Sequence, residues 1–167
     1  KQWVTQPGLP VVRTCSYIGG IERYALCQNG ITDPRMFWRE KVNVLIRTTN
    51  GGDQIKAVRL DDRTRRWEKA QDNTPSYFES SAYLYSSPPT YAVFEFPNYG
   101  DYGYGIFLLD DKSRDYVLKN VQNEKDDFLR SMMWGALWDS VREAELDPRE
   151  YVELAIKNLP TEKDETI

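Results

Sequence analysis

Histidine is absent from this 167-residue sequence, and only two cysteines occur, Cys15 and Cys27. Without imidazole the chain cannot form a Ser-His-Asp or Cys-His nucleophilic site, or a zinc site with histidine ligands. Two thiols are too few for a cysteine-rich structural zinc site. The side-chain chemistry that stays open is that of carboxylates, acting as acid–base groups or as metal ligands.

The sequence also lacks a long apolar run and an excess of basic charge. No stretch approaches the roughly 18 apolar residues that a membrane-spanning helix requires. The net charge is −4, which gives no electrostatic footprint for nucleic acid or an anionic membrane surface. The basic cluster RTRR at 63–66 follows Asp61 and Asp62, which cancel much of its charge. We therefore expect no nucleic acid partner and no membrane segment.

The first part of the sequence has the pattern of short strands. The whole sequence is 40% hydrophobic, which is enough for a sizeable core. Strand-like runs occur at 10–18, 21–28, 41–49, 54–60, 82–85, 91–96 and 104–109. In the third run Val42, Val44 and Ile46 alternate with Asn43 and Arg47, which predicts one buried face and one solvent-facing face. About seven short strands separated by Gly, Pro and Asn predict an antiparallel β-sandwich domain over residues 1–109.

The two cysteines lie on neighbouring strands of a predicted hairpin. With Gly19-Gly20 as a two-residue turn, Cys15 is opposite Tyr24 and the two thiols point to opposite faces, so they cannot bond. A three-residue turn would bring the thiols to one face, but not directly opposite each other. We expect free thiols, which favours a reducing compartment such as the cytoplasm and leaves the location otherwise open.

After Leu109 the apolar spacing becomes that of helices. Helices are predicted over 112–121, capped by Asp110 or Asp111, and over 127–145, and a third begins after Asp147-Pro148. The predicted buried residues of the last two are Phe128, Leu129, Met132, Met133, Ala136, Leu137, Val141 and Ala144, then Tyr151, Val152, Ala155, Ile156 and Leu159. Short helix pairs are typical of an α-solenoid, although these helices could instead dock on the sandwich. Residues 110–167 are therefore predicted to begin a C-terminal helical domain, truncated within a helix that starts near Thr161.

Several segments, in order along the whole chain, resemble the aminopeptidase N-like zinc metallopeptidase family. Residues 3–12, WVTQPGLPVV, resemble the W-x-x-Q-x-G-x-P-V-V entry to the domain that follows the catalytic domain in that family. Residues 103–110, GYGIFLLD, are similar in shape to the family's G-Y-Y-R-V-x-Y-D strand, with Ile106-Phe107 in place of Tyr-Arg. A third resemblance is to the first helices of the family's helical domain, in Leu129-Arg130, Trp134, Asp139 and Tyr151.

The resemblance implies a non-catalytic fragment of a parent protein that is a zinc-dependent aminopeptidase. In that family an upstream domain carries H-E-x-x-H and a further glutamate, which bind zinc and activate its water. None of these residues is present, so no catalytic, cofactor-binding or metal-binding residue is assigned in this chain. The implied partners are the catalytic and C-terminal helical domains of the same polypeptide, with zinc as the parent's cofactor and peptides as its substrates. The implied role is to brace the catalytic domain and to position the C-terminal helical domain.

Other features leave a second function open. Residues 98–104, NYGDYGY, could form a sugar-stacking loop, although tyrosines packed on a sheet edge are the stronger interpretation. The alternative function is a stand-alone carbohydrate- or protein-binding β-sandwich module. Helix capping explains the adjacent carboxylates better than glycosidase chemistry does, and core packing is preferred for the tryptophans and methionines. These residues are Asp61-Asp62, Asp110-Asp111 and Asp126-Asp127, then Trp134, Trp138 and Met132-Met133.

Overall fold

The computed structural model describes residues 8–17, 23–30, 38–60, 65–67, 78–85 and 92–165. Within these residues the strands are β1 (Pro10–Tyr17), β2 (Arg23–Gly30), β3 (Glu40–Thr48), β4 (Asp53–Leu60), β5 (Arg65–Trp67), β6 (Phe78–Tyr85), β7 (Ala92–Pro97) and β8 (Ile106–Leu108). The helices are α1 (Asp111–Asn120), α2 (Asp127–Arg142) and α3 (Pro148–Asn158), with 3-10 turns at Val121–Asn123 and Leu159–Thr161.

The strands form two sheets. The first sheet has the order β5-β6-β2-β1-β8, and the second has the order β4-β3-β7. All pairs are antiparallel except β1 with β8, which run parallel. A parallel pair requires a long crossover connection, and here the chain passes through the whole second sheet between β1 and β8. The first sheet is therefore mixed, unlike the antiparallel arrangement that the sequence predicts.

The prediction of a β-sandwich followed by the start of an α-solenoid is wrong, because the helices pack directly on the second sheet. One core lies between the two sheets and contains Val12 and Leu26 with Val44 and Ile46. A second core joins residues of β3 and β7 to residues of α1 and α2. The described residues thus form a mixed α/β architecture, and the second core crosses the predicted domain boundary at Leu109.

Strand β3 is the reason for this difference. Val42, Val44 and Ile46 are buried as predicted, but Leu45 on the opposite face is only 2% exposed. Leu45 lies in the core that contains the helix residues Leu129 and Leu137. The face that alternation assigned to solvent is therefore covered, because amphipathic helices bury their apolar stripe on the nearest apolar surface. The two polar residues Asn43 and Arg47 were a weak guide to that face.

The hairpin of β1 and β2 has a different register from the predicted one. Cys15 pairs with Ala25 and Cys27 pairs with Arg13, which places the two cysteine positions on one face of the ladder. Cys27 is disulfide-bonded, and Cys15 is the other cysteine of the sequence. The prediction of free thiols is therefore wrong, and with it the argument for a reducing compartment is lost. The predicted turn at Gly19-Gly20 lies outside the described residues.

The helices begin where the sequence predicts and bury less of their surface than it predicts. Asp110, Asp126 and Asp147 are the N-caps of α1, α2 and α3. Helix α2 ends at Arg142, since Ala144 adopts a left-handed φ of 59°. No helix begins at Thr161 in the described residues up to 165. Five residues predicted to be buried are exposed, namely Phe128, Ala144, Val152, Ile156 and Leu159.

Candidate functional site

The carboxylate pairs at the helix starts stabilise the helix N-termini. Asp110 and Asp126 each accept hydrogen bonds from amides of the first helical turn, at 2.7–3.2 Å. Asp111 and Asp127 each form an ion pair with the arginine three residues further on, at 2.5 and 2.6 Å. These contacts satisfy helix-terminal N–H groups and complement the helix dipole. The capping prediction is confirmed for both pairs, whereas Asp61-Asp62 lies outside the described residues.

Residues 98–105 form a closed loop, here called the tyrosine loop. The Asn98 side chain, 4% exposed, holds it from inside. Its carbonyl oxygen accepts from the Gly103 amide at 2.6 Å, and its amide donates to Gly103 and Asp101. Asn98 has a left-handed φ of 63°, which asparagine tolerates better than most residues. The loop displays Tyr102 and Tyr104, whose exposed fractions are 74% and 60%.

The tyrosines of this loop do not all behave as predicted. Tyr99 packs against the core shared by the helices and the second sheet. Tyr102 and Tyr104 face solvent, so the prediction that they pack on a sheet edge is wrong. The left-handed Gly100 accounts in part for the Tyr102 position, because a Cβ at Gly100 would lie 2.7 Å from the Tyr102 ring. The loop thus presents two aromatic side chains on a backbone fixed by hydrogen bonds.

Beneath the tyrosine loop lies Glu40, the first residue of β3 and only 7% exposed. Its Oε2 accepts from the backbone N–H of Tyr104 at 3.2 Å, and its Oε1 accepts from Nε2 of Gln28 at 3.3 Å. The Oε1 atom of Gln28 in turn accepts from the backbone N–H of Trp38 at 2.8 Å. Burial raises the pKa of Glu40 to about 7, against the lowering effect of the Tyr104 hydrogen bond. This carboxyl therefore titrates near neutrality.

A second polar cluster links the second sheet to the helices through Arg47. Its guanidinium binds Asp53 of β4 in a bidentate manner, at 2.7 and 2.8 Å, and binds Glu124 at 2.8 Å. It also lies 5.9 Å from the Phe94 ring centre, and Phe94 stacks on Tyr116 of α1. Burial opposes ionisation of Glu124, but the hydrogen bond from Arg47 lowers its pKa overall. The arrangement is that of a structural anchor.

A third cluster joins α2 to the end of the described chain. Arg130 binds the Glu162 carboxylate with two nitrogens, at 2.8 and 2.9 Å, and also binds Asp127 and the Glu124 carbonyl. The hydrogen bond from Arg130 lowers the pKa of Glu162 to about 2. These residues border a cavity of about 270 Å³ together with Trp134. The guanidinium of Arg130 makes these contacts within the chain, so the cluster fixes the end of the described chain.

The most distinctive surface is an apolar stripe on α3, formed by Val152, Ile156 and Leu159. These residues are 51%, 72% and 41% exposed. Their spacing of four and three places them on one helix face. Tyr151, on the inner side of α3, contacts both Trp134 and Trp138, with ring centres 5.8 and 5.6 Å away. Trp138 itself remains 50% exposed. Helix α3 therefore has an inner side that packs on α2 and an uncovered apolar side.

Searches for other kinds of site return little within the described ranges. The described residues contain no group of three potential metal ligands. They also contain no helix long and apolar enough to cross a membrane. No protein-family model matches the sequence, and a search of curated proteins finds no match.

Sequence reasoning missed the three most informative residues. Glu40 lies just outside the predicted strand 41–49, and nothing in its neighbours marks a buried carboxyl. Arg47 was assigned to a solvent-facing side, although a lone arginine opposite an apolar face is a weak sign of a buried ion pair. Arg130 was noted only for its family resemblance. In each case at least one partner lies 12 or more residues away in the sequence.

Proposed function

We propose that this chain is a non-catalytic, structural part of a zinc-dependent aminopeptidase of the aminopeptidase N-like type, which removes N-terminal residues from peptides. In this role it braces the catalytic domain and positions the helical domain of the same polypeptide. The starting point is the resemblance of residues 3–12, of residues 103–110 and of the helical residues after Leu129. No catalytic residue of this chain takes part, and zinc belongs to the parent protein.

The observation that carries the structural part of the proposal is the apolar stripe on α3. Val152, Ile156 and Leu159 expose large side chains on one helix face, and exposed apolar patches mark surfaces that other protein covers. Trp138 on α2 is also half exposed. A structural segment between two domains is expected to have such a face, because its stability and its role both depend on neighbours.

The ion pairs within the chain suit a structural role between two domains. Arg47 links β3 to Glu124, which follows the helix α1 and its 3-10 turn. Glu145, which follows α2, binds Arg13 of β1 and Arg114 of α1, at 3.2 and 3.5 Å. Together with the shared core, these contacts connect both sheets to the helices. Such a unit can transmit a fixed orientation from one neighbour to another.

The first test is to read the gene upstream of the codon for Lys1. We expect an H-E-x-x-H motif followed by a glutamate, zinc bound by the full polypeptide, and release of N-terminal residues from peptides by that polypeptide. The same domain with those ligands replaced would indicate an inactive scaffold. A start codon or an unrelated domain directly upstream would contradict the proposal.

The second test examines the α3 stripe with the double substitution Val152→Glu and Ile156→Glu. In the isolated chain we expect little change in the unfolding temperature, because both side chains already face water. In the full polypeptide we expect a lower unfolding temperature and lower peptidase activity, because the stripe is then covered. The matched control is Lys157→Glu on the same helix. An equal effect of both variants in the full polypeptide would contradict the proposed contact.

One observation favours the second candidate function, a carbohydrate- or protein-binding module. The tyrosine loop holds Tyr102 and Tyr104 exposed on a hydrogen-bonded backbone, and exposed aromatic rings suit stacking on sugars or apolar side chains. Screening the isolated chain against a glycan array tests this function. Binding that is lost in Tyr102→Ala and Tyr104→Ala would support it, and the absence of binding would leave the structural proposal favoured.

A further inference from the structure

We propose that Glu40 is a proton-sensitive latch that controls how the tyrosine loop is held. The carboxylate connects three separate elements. Its Oε1 accepts from Gln28 of β2, its Oε2 accepts from the backbone N–H of Tyr104, and its own backbone begins β3. A change in its protonation state therefore acts on both sheets and on the loop at once. The inference does not depend on the family resemblance.

The direction of the hydrogen bonds makes this cluster sensitive to a proton. The Trp38 N–H donates to Oε1 of Gln28, which fixes the side-chain amide so that its Nε2 donates to Glu40. The Tyr104 N–H donates to the other carboxylate oxygen. Two of these hydrogen bonds are donated to Glu40, and the third orients the Gln28 amide that donates one of them. This arrangement matches an ionised carboxylate, because an ionised carboxylate can only accept hydrogen bonds.

Protonation of Glu40 weakens this arrangement. A protonated carboxyl keeps acceptor capacity, but the hydrogen bonds from Tyr104 and Gln28 lose the assistance of its negative charge, and charge-assisted hydrogen bonds are roughly twice as strong as neutral ones. Proton uptake therefore loosens the hold on the loop at Tyr104 and, through Gln28, on the segment at Trp38.

Burial raises the pKa of Glu40 and so brings its ionisation into the neutral pH range. Glu40 and Gln28 are 7% and 1% exposed, and removal from water disfavours the charged carboxylate. Burial accordingly raises the pKa of Glu40 to about 7. Hydrogen bonding favours the ionised form and desolvation favours the neutral form, so both forms are populated near neutral pH.

The neighbouring charges do not take over this role. Leu60 of β4 is the cross-strand partner of Glu40 and is fully buried. The charged residues of the described elements packed around Glu40 are exposed to solvent, and those beside it in β3 and β4 alternate to the other face. They are Arg39, Lys41, Arg59 and Asp101. Solvent screens such charges, so among the described groups desolvation and the hydrogen bonds have the largest effect on Glu40.

The consequence is that the display of the two tyrosines varies with pH. Above neutrality the ionised Glu40 fixes the Tyr104 backbone from below while Asn98 closes the loop from within. Below neutrality the hold of Glu40 on this end of the loop is weaker, while the Asn98 contacts persist. Any partner that uses Tyr102 and Tyr104 is therefore expected to meet a more ordered surface at mildly alkaline pH than at mildly acidic pH.

The test is an NMR titration of the full chain, from about pH 5 to about pH 9. The ¹³C shift of the Glu40 carboxyl is expected to titrate near pH 7, and the amide of Tyr104 or of Trp38 is expected to shift with the same midpoint. Hydrogen-exchange protection of the responding amide, corrected for intrinsic exchange, should fall roughly fivefold on acidification, the size expected for one hydrogen bond.

Glu40→Gln should remove the titration, and the control Glu153→Gln on the exposed side of α3 should leave it unchanged. The wild-type titration decides the matter even where Glu40→Gln does not fold. A Glu40 carboxyl that titrates at its ordinary value near 4.5 would overturn the proposal. So would a titration near pH 7 that leaves the Tyr104 and Trp38 amides unchanged.

Discussion

At the residue scale, buried charge has the largest consequences in this chain. Glu40, Arg47 and Arg130 are placed where burial disfavours their charged forms, and each is held by hydrogen bonds from other elements. Arg47 and Arg130 remain charged because carboxylates pair with them. Glu40 has amide partners, so its charge is compensated less well. Burial thus accompanies two ion pairs that stay charged and one group that titrates.

Glu40 should make the chain more stable at acidic than at alkaline pH between about pH 5 and pH 8. Its folded-state pKa of about 7 lies above the ordinary 4.5, so the folded chain binds the proton more tightly. This stabilisation is complete below 4.5 and is lost as the pH rises through 7. The free energy of unfolding should fall by up to about 3 kcal/mol, since one pKa unit corresponds to about 1.4 kcal/mol.

Urea denaturation at several pH values measures this effect. Glu40→Gln should flatten the dependence, while Glu153→Gln should retain it. Burial also raises the pKa of Asp139, which adds in the same direction and is present in both variants. A dependence that is equally steep in Glu40→Gln and wild type would show that another group is responsible.

At the element scale, ion pairs attach each helix to its neighbour. Arg130 of α2 holds Glu162 just beyond α3, and Arg47 of β3 holds Glu124 just before α2. Both acidic partners lie outside regular helices, where hydrophobic burial is small. The ion pair with Glu162 matters most, because α3 itself has no fully buried residue to hold it. The ion pairs therefore determine how the chain ends and turns are placed.

Substitution Glu162→Gln should loosen α3 and make the stability of the chain less sensitive to acid below pH 4.5. The pKa of Glu162 is held at about 2 by Arg130, below the ordinary 4.5, so its stabilisation is present above 4.5 and lost as the pH falls toward 2. We expect a loss of about 1–2 kcal/mol at neutral pH, measured by thermal unfolding. The control Glu165→Gln, an exposed residue nearby, should change nothing. Equal stability of both variants would refute the anchoring role.

The Arg47–Glu124 pair should show a measurable coupling free energy. In a double-mutant cycle with Arg47→Met and Glu124→Gln, we expect a coupling of about 1 kcal/mol, because Glu124 has a side-chain exposure of only 8%. The cycle removes the separate contribution of Asp53. The matched control pair is Asp115–Lys119, which is exposed and 3.8 Å apart, with an expected coupling near zero. Similar values for both pairs would contradict the prediction.

At the scale of the whole molecule, the second core unites parts that sequence analysis separated. Leu45, Phe94 and Phe96 from the second sheet pack with Leu129 and Leu137 from α2. Because the same apolar contacts stabilise the strands and the helices, neither group can lose its partner without exposing apolar surface. The predicted units 1–109 and 110–167 are therefore expected to unfold together.

Leu137→Ala tests this cooperativity. Leu137 is fully buried, so its truncation should lower the free energy of unfolding by about 2–5 kcal/mol. Far-ultraviolet circular dichroism and tryptophan fluorescence should report one coincident transition in both wild type and variant. The control Ile156→Ala, at a 72% exposed position, should have little effect. Two separate transitions, with only the helical one shifted, would instead support two independent units.

Much of the local structure could be predicted from the sequence. The runs at 41–49 and 54–60 correspond closely to β3 and β4, because alternating residues and a glycine-rich turn act over short distances. The caps Asp110, Asp126 and Asp147 were identified for the same reason. The candidate site was predicted less well, since the exposure of Tyr102 and the burial of Glu40 depend on what packs around them.

The sequence by itself determined where β3, β4 and the helix starts lie, and which chemistries the absence of histidine excludes. Only the tertiary structure decided that β8 runs parallel to β1, that Leu45 faces the helices, and that the cysteine positions share one face. The physical reason is one of range. Propensities and caps act within a few residues, whereas burial, ion pairing and the pKa of Glu40 depend on groups brought together from distant parts of the chain.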